Sequence, residues 1–117
     1  SIPQFPNFFM LNGPNGPVGN FSLILIAENQ LNYILQLMEK IRGGQCREIT
    51  PRVDASSSFE ATRIDAAKKS IWATGCKSWY QSAEGRNFTI WPWSTWRYWL
   101  ATRKVHAKQY RFLRATG

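Results

Sequence analysis

Gly13-Pro14-Asn15-Gly16-Pro17-Val18-Gly19-Asn20 runs directly into Phe21 to Arg42, the strongest helical pattern in the chain, and the rest of the sequence can be placed around this junction. Glycine opens positive φ and proline removes backbone donors, so the stretch is a loop by composition. The first N–H groups of the helix point back into that loop. Such a junction either binds an anion or dipole at the helix N-terminus or simply connects two elements. It lacks the Gly-x-Gly-x-x-Gly and Gly-x-x-x-x-Gly-Lys spacings that would decide between these.

Asn20 is the expected N-cap, and Gly43-Gly44 the expected stop. Between them Leu23, Ile24, Ala27, Leu31, Ile34, Leu35, Met38 and Ile41 share one face at helical spacing. Ile26, Tyr33 and Leu37 widen the apolar arc to roughly 200°, about twice that of a surface helix, which predicts a helix packed on two sides. Upstream, Pro3 and Pro6 mark an extended lead-in, and the apolar run Phe8-Phe9-Met10-Leu11 predicts a strand buried on both faces. A strand of that kind needs neighbours, and the chain begins at Ser1 without Met and offers only short candidates downstream. The expectation is the end of a larger protein.

Downstream, Cys46 to Thr50 predicts a short extended segment before Pro51. A second amphipathic helix follows, starting between Pro51 and Ala55 or at the Ser57/Glu60 capping-box spacing. Phe59, Ile64, Ala67 and Ile71 form its inner face, with Arg63, Asp65, Lys68 and Lys69 solvated. Lys77 to Gln81 and Asn87 to Trp91, joined by a five-residue connection containing Gly85, predict an aromatic β-hairpin. Ser94 or Thr95 then caps a short helix through Arg103, and the last fourteen residues read as irregular. The fold class is α+β: strand, loop, long helix, second helix, hairpin and short C-terminal helix.

The chain has 117 residues, with 15 Lys and Arg against 7 Asp and Glu. That length is one domain's worth. The charge is uneven: residues 97–117 contain Arg97, Arg103, Lys104, Lys108, Arg111 and Arg114 and no acid. Such a tail permits binding to a polyanion. Cys46, Cys76 and the single His106 match no zinc spacing, so no metal site is expected. The longest apolar run, Leu23 to Ala27, is far short of the ~18 residues of a span. The expectation is a soluble, cytoplasmic protein without a membrane partner, its thiols buried or idle.

No catalytic set emerges. His106 lies in the basic tail, and the carboxylates Glu28, Glu39, Glu48, Asp54, Glu60, Asp65 and Glu84 are scattered over helix surfaces and turns. The aromatics Trp72, Trp79, Tyr80, Trp91, Trp93, Trp96, Tyr98 and Trp99 stand beside Arg86, Arg97 and Arg103. They are either a stacking surface for a nucleotide base or a hydrophobic interface with a neighbouring part of the protein.

Several of these stretches, in this order and spacing, carry a family resemblance. Phe5-Pro6-Asn7-Phe8-Phe9-Met10-Leu11-Asn12-Gly13-Pro14, Gly16-Pro17-Val18-Gly19-Asn20, Thr74-Gly75-Cys76-Lys77-Ser78-Trp79-Tyr80, Gly85-Arg86-Asn87 and Trp91-Pro92 together resemble the C-terminal part of flavin-containing monooxygenases of the Baeyer-Villiger type. The likeness is closest to relatives of 4-hydroxyacetophenone monooxygenase and covers about residues 3–112.

The resemblance implies a fragment of a flavoprotein with two dinucleotide-binding domains, one for FAD and one for NADPH, which inserts oxygen next to a ketone. It implies that residues 1–44 close the FAD-binding domain with its long helix, and that 45–117 form the helix, hairpin and basic C-terminal region. Phe8 to Leu11 becomes a strand of the FAD domain. Gly13, Pro14, Asn15 and Asn20 become flavin-side residues, where backbone or amide donors and a helix positive end meet the negative charge of the reduced ring. Trp79 is matched to the residue that reaches the nicotinamide-side ribose of NADP. The sequence departs from many relatives at Gln81 to Asn87, where they carry a glycine-asparagine turn, which leaves a second NADP ligand unassigned. The glycine fingerprints of both dinucleotide sites are absent from these 117 residues, so the implied partners are upstream FAD- and NADP-binding domains and a ketone or other small organic substrate. The segment alone is expected to be inactive and to self-associate. The competing reading is a small basic nucleic-acid-binding or protein-interaction module built on the hairpin and the cationic tail; the family reading requires no nucleic acid.

Overall fold

The computed structural model describes residues 1–13, 16, 22–69 and 91–114. Helix α1 spans Leu23–Arg42, strand β1 Glu48–Pro51, helix α2 Val53–Lys68, helix α3 Thr95–Thr102 and strand β2 Tyr110–Leu113, with a 3₁₀ turn at Ala107–Gln109. The α+β class holds for the described residues. The predicted hairpin, Lys77 to Gln81 with Asn87 to Trp91, lies outside them except for Trp91.

Helix α1 begins two residues later than the pattern predicted, and its N-cap is Ser22 rather than Asn20. The Ser22 hydroxyl accepts from the Leu25 N–H at 3.4 Å, which meets one of the free donors of the first turn. The expected stop is where the two glycines place it. The Gly43 N–H donates to Glu39 O at 2.8 Å, and Gly44 takes the left-handed conformation at φ 70°.

Packing on α1 differs from the predicted emphasis. Ile26 and Leu37 are buried, whereas Leu23, Ile24, Leu31, Leu35 and Met38 are exposed, Ile24 at 74 %. The helix does have two apolar sides, but only the one through Ile26 and Leu37 is covered by the described residues. Ile26 packs with Trp91 and Tyr98 at one end, and Leu37 with Cys46 and Ile49 at the other. Cys46 is thus a buried free thiol, while Cys76 lies outside the described residues.

The C-terminal stretch is not irregular. Tyr110–Leu113 pairs antiparallel with β1, placing Ile49 opposite Phe112 and Pro51 opposite Tyr110. The basic residues hid this strand from composition, but Tyr110 and Phe112 alternate with exposed Arg111 and turn toward the Leu37 cluster.

The predicted strand Phe8 to Leu11 is not formed. Phe8 and Leu11 are exposed, and Asn7 and Asn12 on either side take positive φ, which breaks an extended run. The free edge of β1 is instead occupied by one residue. Asn7 donates its backbone N–H to Ile49 O at 2.9 Å and its Nδ2 to Arg47 O at 3.2 Å, while its Oδ1 accepts from the Ile49 N–H at 2.9 Å.

Helix α2 starts at Val53 after Arg52, at the earlier of the two predicted positions, and Ser57 lies inside it. Its predicted faces are partly inverted. Arg63, placed on the solvated side by its charge, is 1 % exposed and paired with Glu60, whereas Phe59 is exposed on one flank while its ring lies 6.3 Å from Trp91. A guanidinium can be buried when its donors are met, and a charge-based pattern does not see this. Helix α3 matches its prediction: Ser94 caps it by accepting from the Arg97 N–H, and Arg103 ends it.

Candidate functional site

Of the residues matched to cofactor roles, Gly13 is described; Pro14, Asn15, Asn20 and Trp79 lie outside the described residues. Gly13 is half-buried and lines a cavity of about 300 Å³ against α1, together with Phe9, Met10, Gln30, Tyr33 and Ile34. Its missing side chain has a local reason. A Cβ at this position would stand 2.6 Å from Met10 Sδ and 3.0 Å from Met10 Cγ, so any larger residue displaces the methionine.

The polar group in this cavity nearest the loop is Gln30. Its Oε1 accepts from the Asn12 N–H at 2.6 Å, and its Nε2 donates to the Tyr98 hydroxyl at 2.7 Å. Gln30 sits one turn along from Ile26 on the buried side of α1, a polar residue within an apolar face. That position was the available signal, and the reading of the helix as an apolar arc passed over it. Burial raises the Tyr98 pKa above the ordinary phenol value, opposed by the Gln30 hydrogen bond.

A second space, about 620 Å³, opens between α1, α2 and α3 and is bordered by Tyr33, Phe59, Tyr98, His106 and Tyr110. The Tyr33 and Tyr110 hydroxyls are 2.9 Å apart. Burial, followed by the influence of Tyr110, pushes the Tyr33 pKa far above the usual phenol range. Tyr33 is thereby held as a neutral hydrogen-bonding group. His106 is exposed at this rim, with no acid–base partner among the hydrogen bonds of the described residues.

Trp72, Trp79, Tyr80 and Arg86 lie outside the described residues, and the described part of the aromatic cluster divides into two kinds. Trp91 is buried, meets Tyr98 edge-on at 5.0 Å and Trp93 at 4.7 Å, and donates its indole N–H to Ser94 O. It is core and offers no free stacking face. Trp96 and Trp99 stack on each other at 4.9 Å on the outer side of α3, Trp96 being 67 % exposed. Arg97 and Arg103, candidates for holding phosphate, lie over the rings of Trp93 and Trp99. Among the described residues no group of His, Cys, Asp and Glu could hold a metal ion, and no helix is long and apolar enough to cross a membrane.

The cavity at Gly13 is lined by backbone, apolar side chains, the hydrogen-bonding groups of Gln30, Tyr33 and Thr102, and Ser1 with its terminal amine, a lining compatible with a flat aromatic ring. The cationic side chains and glycine turn that a pyrophosphate needs are not among its lining residues.

No protein-family profile matches the chain, and no solved structure matches it. Curated sequences do. The chain is 39 % identical over 113 residues to a Baeyer-Villiger monooxygenase of Streptomyces coelicolor, covering 94 % of this chain and 22 % of that protein. It is 34 % identical over 110 residues to an uncharacterized monooxygenase of Mycobacterium tuberculosis, with the same coverage of both. A FAD-binding monooxygenase of Dothistroma septosporum is 33 % identical over 99 residues, 84 % of this chain and 16 % of the relative. These relatives give no support to a nucleic-acid-binding module. The chain spans about a fifth of the length of the relatives it matches, and the match falls in their C-terminal part. By this similarity over nearly all its residues, the chain belongs, as a C-terminal segment, to the flavin-containing monooxygenases of the Baeyer-Villiger type.

Proposed function

We propose that this segment works as part of an FAD- and NADPH-dependent monooxygenase that inserts oxygen next to a ketone carbonyl or carries out a related oxygenation, and that alone it is inactive. The observation that carries this reading is the match of 94 % of the chain to the C-terminal fifth of a Baeyer-Villiger monooxygenase. In this reading, residues 1–44 complete the FAD-binding domain and residues 45–117 extend over the cofactors. The upstream FAD- and NADP-binding domains cover the exposed side of α1, where Ile24, Leu31, Leu35 and Met38 form an apolar stripe that water solvates poorly.

FAD supplies the redox chemistry when bound; this chain's contribution is to bind, orient and exclude water. Gly13, Pro14, Asn15 and Asn20 form the loop that faces the flavin, with backbone and amide donors where negative charge collects on reduction. The Ser22-capped start of α1 follows this loop in sequence and contributes its positive end. Apolar neighbours of Gly13 keep water from that edge, and the half-buried Tyr33 phenol beside it adds no charge. Trp79 holds the nicotinamide-side ribose of NADP through its indole N–H.

The test is made in the full-length protein. Trp79→Ala should raise the KM for NADPH by about tenfold, the loss of a well-placed hydrogen bond and ring contact, while flavin content stays at the wild-type level. Unchanged NADPH kinetics would remove Trp79 from the site.

A further inference from the structure

Helix α1 carries two glutamines that reach helix α3 and its exit, and only one of them also touches the loop entrance. Gln30 accepts from the Asn12 N–H at 2.6 Å and donates to the Tyr98 hydroxyl at 2.7 Å. Gln36 donates to Arg103 O at 3.0 Å and accepts from the Val105 N–H at 3.1 Å. Each carboxamide is used in both directions.

Three observations set Gln30 apart. Asn12 holds φ 50°, a left-handed conformation that an L-residue adopts at some cost, and Gln30 fastens the N–H of this residue. The chain returns past the same carboxamide four residues later: a Cβ on the buried Gly16 would lie 3.7 Å from Gln30 Nε2. The other end of the contact is Tyr98, which is buried and locked edge-on against Trp91. The carboxamide is therefore held on a rigid aromatic cluster and holds, in turn, the left-handed entrance of the loop.

We propose that Gln30 is a positioning residue that sets the Asn12–Gly13 backbone relative to helix α3 and so fixes the height of the loop against the flavin. This rests on the reading of Gly13 as flavin-facing. Gln30 need not touch the cofactor; it acts through the Asn12 amide and the closeness of Gly16. A hydrogen bond made at both ends transmits position, because a shift of the backbone breaks one bond or drags the other.

The full-length protein tests this with four variants read by FAD affinity, the flavin absorption spectrum and thermal unfolding. Gln30→Leu loses both bonds and should bind FAD about tenfold more weakly, with displaced flavin absorption maxima. Gln30→Glu keeps both, since a carboxylate accepts from the Asn12 N–H and from the Tyr98 hydroxyl, and should return to within about twofold of wild type. Gln36→Leu loses two bonds to the exit of α3 and one to Asn32 O within α1, without touching the loop. It should lower the unfolding temperature and leave the flavin readouts unchanged. Tyr98→Phe, the mildest change, should weaken FAD binding about threefold, and it keeps the test open if Gln30→Leu does not fold. Flavin readouts that are the same for Gln30→Leu and Gln36→Leu, a Glu variant as impaired as the Leu variant, or a silent Tyr98→Phe would each overturn the proposal while leaving the flavin reading intact. A wild-type full-length protein that binds no flavin would overturn both.

Discussion

Asn7 and Ile49 exchange hydrogen bonds as two paired strand residues would, the Asn7 N–H donating to Ile49 O and the Ile49 N–H to Asn7 Oδ1, both at 2.9 Å. A single asparagine with φ 59° thereby closes this edge of β1. Asparagine suits the position because it tolerates the left-handed conformation and carries an amide that copies a peptide group.

Asn7→Ala should therefore destabilise the fold by about 1–3 kcal/mol, mainly the cost of leaving the part-buried Ile49 N–H without its partner, with a smaller loss at the exposed Arg47 carbonyl. Asn7→Asp retains the acceptor for the Ile49 N–H and should lose less. Urea denaturation followed by tryptophan fluorescence would show the order; equal stability of all three proteins would mean the edge is held by something else.

Glu60 and Arg63 lead to a second expectation. The Arg63 guanidinium, nearly inaccessible, holds the Glu60 carboxyl below its usual range through a side-chain hydrogen bond. Glu60→Gln should cost about 1–3 kcal/mol, because it weakens a charge-assisted contact to a buried cation. Thermal melts that match wild type would show that the remaining contacts of Arg63 suffice.

The fold should be most stable between about pH 5 and pH 9.5, with a loss on each side. Tyr33 and Tyr98 have raised pKa values, so their contribution is complete below the ordinary phenol value and declines as pH rises above about 10. Glu60 has a lowered one, so its contribution is complete above the ordinary carboxyl value and declines as pH falls below about 4. Melting temperatures across pH 3 to 11 would test both limits, and Tyr33→Phe should flatten the alkaline limb. An unchanged alkaline limb in that variant would contradict the assignment.

Much of the secondary structure was legible in the sequence and part of the packing was not. The extent of α1 to Arg42, its glycine stop, the Ser94 cap and the extended segment before Pro51 follow from local chemistry, which the chain carries within a few residues. Apart from the α1 cap, which is Ser22 rather than Asn20, the failures involve long-range partners. Tyr110 to Leu113 is a strand because Glu48 to Pro51 lies beside it; Phe8 to Leu11 is not one because no described strand does. Arg63 is buried because Glu60 meets its charge. At the candidate site, the family match supplied Gly13, whereas Gln30 was visible only as a polar residue on a buried face.

The isolated 117-residue chain should self-associate through the stripe of Ile24, Leu31, Leu35 and Met38, since exposed apolar patches of this kind seek cover. Leu31→Glu with Leu35→Glu should return light scattering toward the monomer mass. Equal scattering with and without these charges would place the contact elsewhere.

The most direct measurement is the flavin content and NADPH oxidation of the purified full-length protein that carries this segment. Bound FAD at about one per chain, together with NADPH-dependent oxygen uptake that rises when a ketone is added, is the expected result. A folded full-length protein without bound flavin, or a flavoprotein that does not oxidise NADPH, would contradict the assignment of this chain to the cofactor wall of a monooxygenase.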